Sequence, residues 1–209
     1  MERLNSLKIG VIFSLLFFFC QNLFAQGFII NDDKLIDDRA KEKINQIGDE
    51  VKSKLGVNVY VYVKSTLGLD ENIKTKEKID IIKNNESQII STLEKPYVLL
   101  SVYVEETQVS LLFSDELKTI IDKDDILDGY VVPLLASKDK NTLFAKVSAS
   151  SLNGYAAISD TIAESKNIKL ESSIGSGGKV SSTIWRVLMY TIVILALFAY
   201  TYAVLIKRK

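Results

Sequence analysis

The chain has 209 residues, with 26 basic and 26 acidic side chains, no histidine and one cysteine, Cys20. Ser-His-Asp and Cys-His nucleophile pairs are therefore excluded, as are His/Cys zinc sites. The charge is uneven, because residues 26–183 carry 20 bases and 25 acids, and that acidity excludes the basic footprint of a nucleic-acid binder.

Arg3 and Lys8 precede an unbroken apolar run, 9–20, followed by Gln21, Asn22 and, further on, Ala25. This is the layout of a secretory signal peptide, so residues 1–25 are expected to be cleaved after Ala25. Cys20 would mark a lipoprotein only with a small residue before it. Phe17, Phe18 and Phe19 stand there instead, and the cysteine is read as discarded with the peptide.

Ala40, Ile44, Ile47, Val51 and Leu55 recur at three or four residues and predict a helix over 37–55, with Asp37 and Asp38 in its first turn and Gly56 at its end. Residues 57–63 alternate with period two and are β-branched or aromatic almost throughout, which predicts a strand with Tyr60 and Tyr62 on one face. A polar loop with Gly68 follows. Ile79, Ile82, Ile89 and Leu93 then predict a helix over 75–92, closed by Pro96. Two apolar strands, 97–104 and 108–113, are separated by Glu105-Glu106-Thr107, too short for a crossover, and predict an antiparallel hairpin. The first of them is apolar on successive residues, which asks for helices on both faces of the sheet. Short helices are expected over 114–121 and 126–136, and a longer one over 142–168, bent at Asn153-Gly154.

Residues 171–182 are mostly Ser and Gly with no period, a flexible tether. Its glycines lack the preceding strand and the closing Gly-Lys-Ser/Thr of a phosphate loop. Residues 187–206 carry no charge and at 1.5 Å per residue span a hydrocarbon core of about 30 Å. Trp185, Tyr200 and Tyr202 suit its interfaces, and Lys207-Arg208-Lys209 place the tail in the cytoplasm. The expected layout is a signal peptide (1–25), an extracytoplasmic α/β domain (26–170), a linker (171–184), a transmembrane helix (185–206) and a basic tail (207–209). The protein is then a single-pass protein of the inner (cytoplasmic) membrane, its domain facing the periplasm or exterior.

Ile30-Asn31-Asp32-Asp33 with Leu35, Leu55-Gly56-Val57-Asn58-Val59-Tyr60-Val61, Tyr97-Val98-Leu99-Leu100-Ser101-Val102 and Val132-Pro133-Leu134-Leu135 occur in an order that resembles the TPM domain family over about residues 29–168. The resemblance implies a three-layer α/β/α sandwich with a small mixed sheet. It also implies kinship with thylakoid-lumen photosystem-repair proteins that have acid-phosphatase activity, and with membrane-anchored bacterial members. Where the family has Asn-Gly before the hairpin this chain has Pro96-Tyr97, and where it has Gly-x-Gly-Leu-Glu after the hairpin this chain has Ser114-Asp115-Glu116-Leu117-Lys118. Those glycines would permit close backbone approach to a ligand, so the resemblance carries the fold further than the phosphatase activity.

Without histidine, acid–base work falls to carboxylates. Residues 94–128 hold nine acids and three bases, yet 122–128 fail the EF-hand pattern because Ile126 and Leu127 stand where Asp/Asn and Gly are needed. Helix capping by Asp124 or Asp125 and a solvated acidic face account for this run. Asn31-Asp32-Asp33 and Asp37-Asp38 form a second acidic group, which capping also explains, and Asn85-Glu86-Ser87 fits a glycosylation sequon. If a small ligand binds, the expected site is an oxygen-coordinated cation such as Ca²⁺ held by Asp32 or Asp33 with Asp115 and Glu116. Two functions are carried forward. One is a membrane-tethered accessory module that binds, assembles or maintains a membrane protein complex, needing no cofactor. The other is a divalent-cation-dependent acid phosphatase using the acidic site.

Overall fold

β-Branched and aromatic runs build the centre of the molecule, and the computed structural model describes it over residues 27–70, 72–175 and 190–195. The strands are β1 (Ile29–Asn31), β2 (Asn58–Lys64), β3 (Tyr97–Tyr103) and β4 (Gln108–Phe113). They form one mixed sheet in the order β1-β2-β3-β4, with β1, β2 and β3 parallel and β4 antiparallel to β3. The helices are α1 (Asp38–Leu55), α2 (Thr75–Ile90), α3 (Lys123–Ile126), α4 (Val132–Leu135) and α5 (Leu143–Ser165).

Register sorts the strand residues into two faces. Val61, Leu100 and Leu111 are partners across three strands, and Leu100 lies against Gly154 of α5. A Cβ at Gly154 would come within 2.6 Å of Val131 and 2.9 Å of Leu100, so this glycine gives close packing. α5 runs unbroken through 153–154, where a bend was expected. The opposite face carries Tyr62, Tyr103 and Ser110. The rings of Tyr62 and Tyr103 lie 5.8 Å apart, the Tyr103 hydroxyl donates to Asn85 of α2 at 3.0 Å, and Ser110 donates to Glu86 of α2. The sequon asparagine is thus engaged with the sheet.

α1 and α5 pack together on one face and run in the same direction. Ser148 bonds Asp37 N–H near their starts at 2.8 Å, and Lys166 bonds the Leu55 carbonyl near their ends at 2.7 Å. The crossovers β1-α1-β2 and β2-α2-β3 step the same way across the sheet but place their helices on opposite faces. They therefore have opposite hands, and one departs from the usual right-handed rule.

Caps follow local chemistry. Asp37 accepts from Ala40 N–H, and Gly56 closes α1 at φ 68°. Asn167, at φ 55°, closes α5 with bonds from its own N–H and that of Ile168 back to Glu164 and Ala163. The cap of α3 is Asp122, bonding the Asp124 and Asp125 N–H groups, rather than either of those acids. Several expectations shift. The helix over 114–121 is one 3-10 turn, Asp115–Leu117. The helix over 126–136 is divided, with a π-helical turn Leu127–Val131 leading into α4. The first residues read as tether are held to the domain, because Glu171 and Ser172 are bonded to Glu50. The signal peptide, most of the linker, the basic tail and all of the span except residues 190–195 lie outside the described residues. Among the described residues no helix is long and apolar enough to cross a membrane.

Candidate functional site

Ligands of α/β sheets tend to lie beyond the carboxyl ends of parallel strands, and here that rim is built by three short turns. After β1 the chain turns through Asp33 and Lys34 at φ 42° and 61°, and after β3 through Thr107 at φ 51°. Three of the four non-glycine residues with positive φ among the described residues thus sit on one edge. Such conformations cost about 1–2 kcal/mol and persist where surrounding bonds enforce them.

Those bonds come from carboxylates. Asp33 Oδ2 accepts from the Ser65 N–H at 2.8 Å and from the Ser65 hydroxyl at 2.7 Å. Its Oδ1 accepts from Asn31 Nδ2 at 2.9 Å, and Lys64 Nζ is 3.4 Å away. The Ser65 N–H, the Asn31 amide and the Ser65 hydroxyl together hold the Asp33 carboxyl well below the usual carboxylate range. Asp32 ion-pairs with Lys41 of α1 at 2.5 Å and accepts from the Lys34 N–H at 3.1 Å. Burial works against its ionisation, but Lys41 and the Lys34 N–H outweigh it and keep the carboxyl low. On the far side of the same loop, Glu106, 6 % exposed, accepts from the Leu67 N–H at 2.7 Å. The segment after β2 is therefore clamped between Asp33 at Ser65 and Glu106 at Leu67. Lys78 of α2 closes the edge by donating to the Glu106 carbonyl at 3.1 Å.

The four residues expected to share a cation are not brought together. Asp32 and Asp33 lie at the carboxyl end of β2. β4 runs antiparallel and returns the chain to the start of β3, where the Ser114 N–H bonds the Tyr97 carbonyl. Asp115 and Glu116 are thus a strand length from Asp33, about 20 Å at 3.3 Å per residue. Asp115 is exposed and pairs with Lys118 at 2.7 Å. Among the described residues no group of three or more acidic or thiol side chains could hold a metal ion. Asn31, Asp32 and Asp33 stand out in the sequence as a group, but their partners Ser65 and Lys41 do not, nor does Glu106 as the inward member of the Glu105-Glu106 pair. Composition carries no signal for which of two adjacent glutamates turns inward.

No family model matches the chain, and no curated protein matches it. Among solved structures, the N-terminal domain of a protein from P. gingivalis superposes with a TM-score of 0.52 at 12 % identity, over 70 % of this chain and 88 % of that one. The N-terminal domain of a Corynebacterium glutamicum protein gives 0.40 at 17 % identity, over 74 % and 86 %. A protein from the psychrophilic bacterium Bizionia argentinensis gives 0.39 at 15 %, over 67 % and 94 %. At 12 % identity the first superposition shows a shared fold with that small domain and nothing more.

Proposed function

We propose that the chain is a TPM-like, membrane-tethered extracytoplasmic binding module that assists assembly or maintenance of a membrane protein complex, without chemistry of its own. The observation that carries the reading is the state of Asp33, whose two oxygens already accept three hydrogen bonds from Ser65 and Asn31. A carboxylate engaged in this way shapes a loop and has little capacity left for a nucleophile, base or metal ligand. The uncharged stretch 187–206 and its basic end supply the tether.

Two measurements test this. Protease added to spheroplasts should remove the domain, and full protection would sink the topology. Phosphate-ester turnover by the full chain should not rise with Ca²⁺ or Mg²⁺. A metal-dependent rate lost in Asp33→Asn would establish the alternative, a cation-dependent acid phosphatase at the rim.

A further inference from the structure

α2 is seated on the second face of the sheet by little apolar surface. Lys74 precedes it without a side-chain cap, and of its 16 residues only Ile82 and Glu86 are buried. Its other holds are hydrogen bonds, from Tyr103 to Asn85 at 3.0 Å, from Ser110 to Glu86 and from Lys78 to the Glu106 carbonyl at 3.1 Å. One of the two buried residues that seat the helix is thus a carboxyl group, which loses hydration whenever it is charged in place. The sheet beneath meets it with hydroxyls. Ser101 and Ser110 are partners across β3 and β4, both are buried, and both favour the ionised carboxylate. The other charged or titratable groups around Glu86 are Lys83 on α2 itself, Lys123 on α3 and Tyr103 on β3, with Tyr62 of β2 beyond Tyr103. Among the described residues no cation is ion-paired with Glu86.

We infer that α2 is a proton-controlled cover over the second face of the sheet, seated while Glu86 carries its proton and loosened when that carboxyl ionises. With α2 in place the charged form has exchanged water for hydroxyl groups; with α2 lifted it returns to water, so ionisation favours lifting. Burial raises the Glu86 pKa above its ordinary 4.5 in the seated state. The seating is therefore strongest below 4.5 and weakens as pH climbs through the folded value. Composition isolates this group. The chain has no histidine, so no side chain titrates between about pH 5 and 8 at its ordinary value. The displaced carboxyls of Asp32, Asp33, Glu50, Asp115, Glu116 and Asp139 all move down, away from that window. Burial moves the hydroxyls of Tyr62 and Tyr103 up, which keeps them neutral through it. Lifting α2 would bare Tyr62, Tyr103 and the two serines, while α5 on the opposite face buries no carboxyl group and serves as an internal reference. The inference goes beyond the binding-module reading and does not depend on it.

The test is amide exchange of the full chain in detergent, expressed as protection factors so that the intrinsic pH dependence of exchange drops out. The carbon-13 shift of the Glu86 carboxyl, identified by its loss in Glu86→Gln, is followed over the same range. Between pH 5 and pH 8 the protection of α2 should fall about tenfold or more relative to α5, with a midpoint that coincides with the Glu86 titration. Glu86→Gln keeps an acceptor for Ser110 and should hold the α2 protection constant. A flat α2 profile in the parent overturns the inference. So does an equal fall in Glu86→Gln, a fall shared equally by α2 and α5, or a Glu86 carboxyl that titrates at or below its ordinary value. Were Glu86→Gln not to fold, the two midpoints in the parent decide: coincidence supports the inference and separation overturns it.

Discussion

Two glutamates illustrate how burial with different partners gives opposite dependences on pH. Glu50 accepts from the N–H groups of Glu171 at 2.8 Å and Ser172 at 2.7 Å and from the Ser172 hydroxyl, and pairs with Lys54 at 2.7 Å. Burial pushes its pKa up, but Lys54, Ser172 and the two N–H groups outweigh that and bring it from 4.5 down to about 2. A folded-state pKa below the unfolded value gives stability that is present above about 4.5 and is lost as pH falls toward 2. Glu50→Gln should therefore cost about 2 kcal/mol at pH 7, after allowing for the open surface beside it, and little at pH 2, as read from urea melts. Glu86, 4 % exposed, is the reverse case. Burial raises its pKa, and Ser110, Lys123, Ser101 and Lys83 offset this only in part. A raised folded-state pKa gives stability that is full below the ordinary value of 4.5 and is lost as pH climbs through the folded value. Glu86→Gln retains an acceptor for Ser110 and should be more stable than the parent at pH 8, with the difference gone at pH 4, as read from urea melts.

At the scale of elements, close approach and light attachment make separate predictions. A Cβ on Gly48 of α1 would meet Phe28 at 2.3 Å and the Tyr155 hydroxyl at 2.4 Å. That hydroxyl donates to the Val59 carbonyl at 3.0 Å. Gly48→Ala should thus lower stability by about 1–3 kcal/mol through overpacking, although alanine favours a helix by about 1 kcal/mol. Gly48→Ala in a Tyr155→Phe background should recover part of that loss. α2 buries only Ile82 and Glu86 fully, whereas α5 buries twelve residues. Amide exchange should accordingly be fastest in α2 among the three long helices, and equal protection of α2 and α5 would contradict this. The contrast also explains what was legible beforehand. α1, α2, α5, β2 and the hairpin each carry a period long enough to read. β1 has three residues, too few for any period, and belongs to the sheet only because β2 offers it an edge. The division around residues 127–131 is tertiary in origin, since Val131 is fitted against Gly154. Asp32 and Asp33 stand apart from Asp115 and Glu116 for a related reason. Two acidic groups, each beside a strand, look equivalent in sequence until strand direction sends them to opposite ends of the sheet.

The described body is a sheet whose far edge is clamped by Asp33 and Glu106, with the chain's departure near the end of α5. Residues past α5 belong to this body, since Leu170 is 5 % exposed and the next two residues are held by Glu50. Ending the domain after residue 168 instead of 175 should therefore lower the melting temperature by about 10 °C, from one lost leucine and one lost hydrogen-bonded group. The Glu50 contact also has a mechanical meaning. A pull on the chain beyond Gly175 loads the bonds at Glu171 and Ser172 before it reaches α5, so tension would break this small clasp first and leave the sheet intact. The same joint would re-form when the load is removed, which makes it a reversible fuse between the domain and whatever holds its tail.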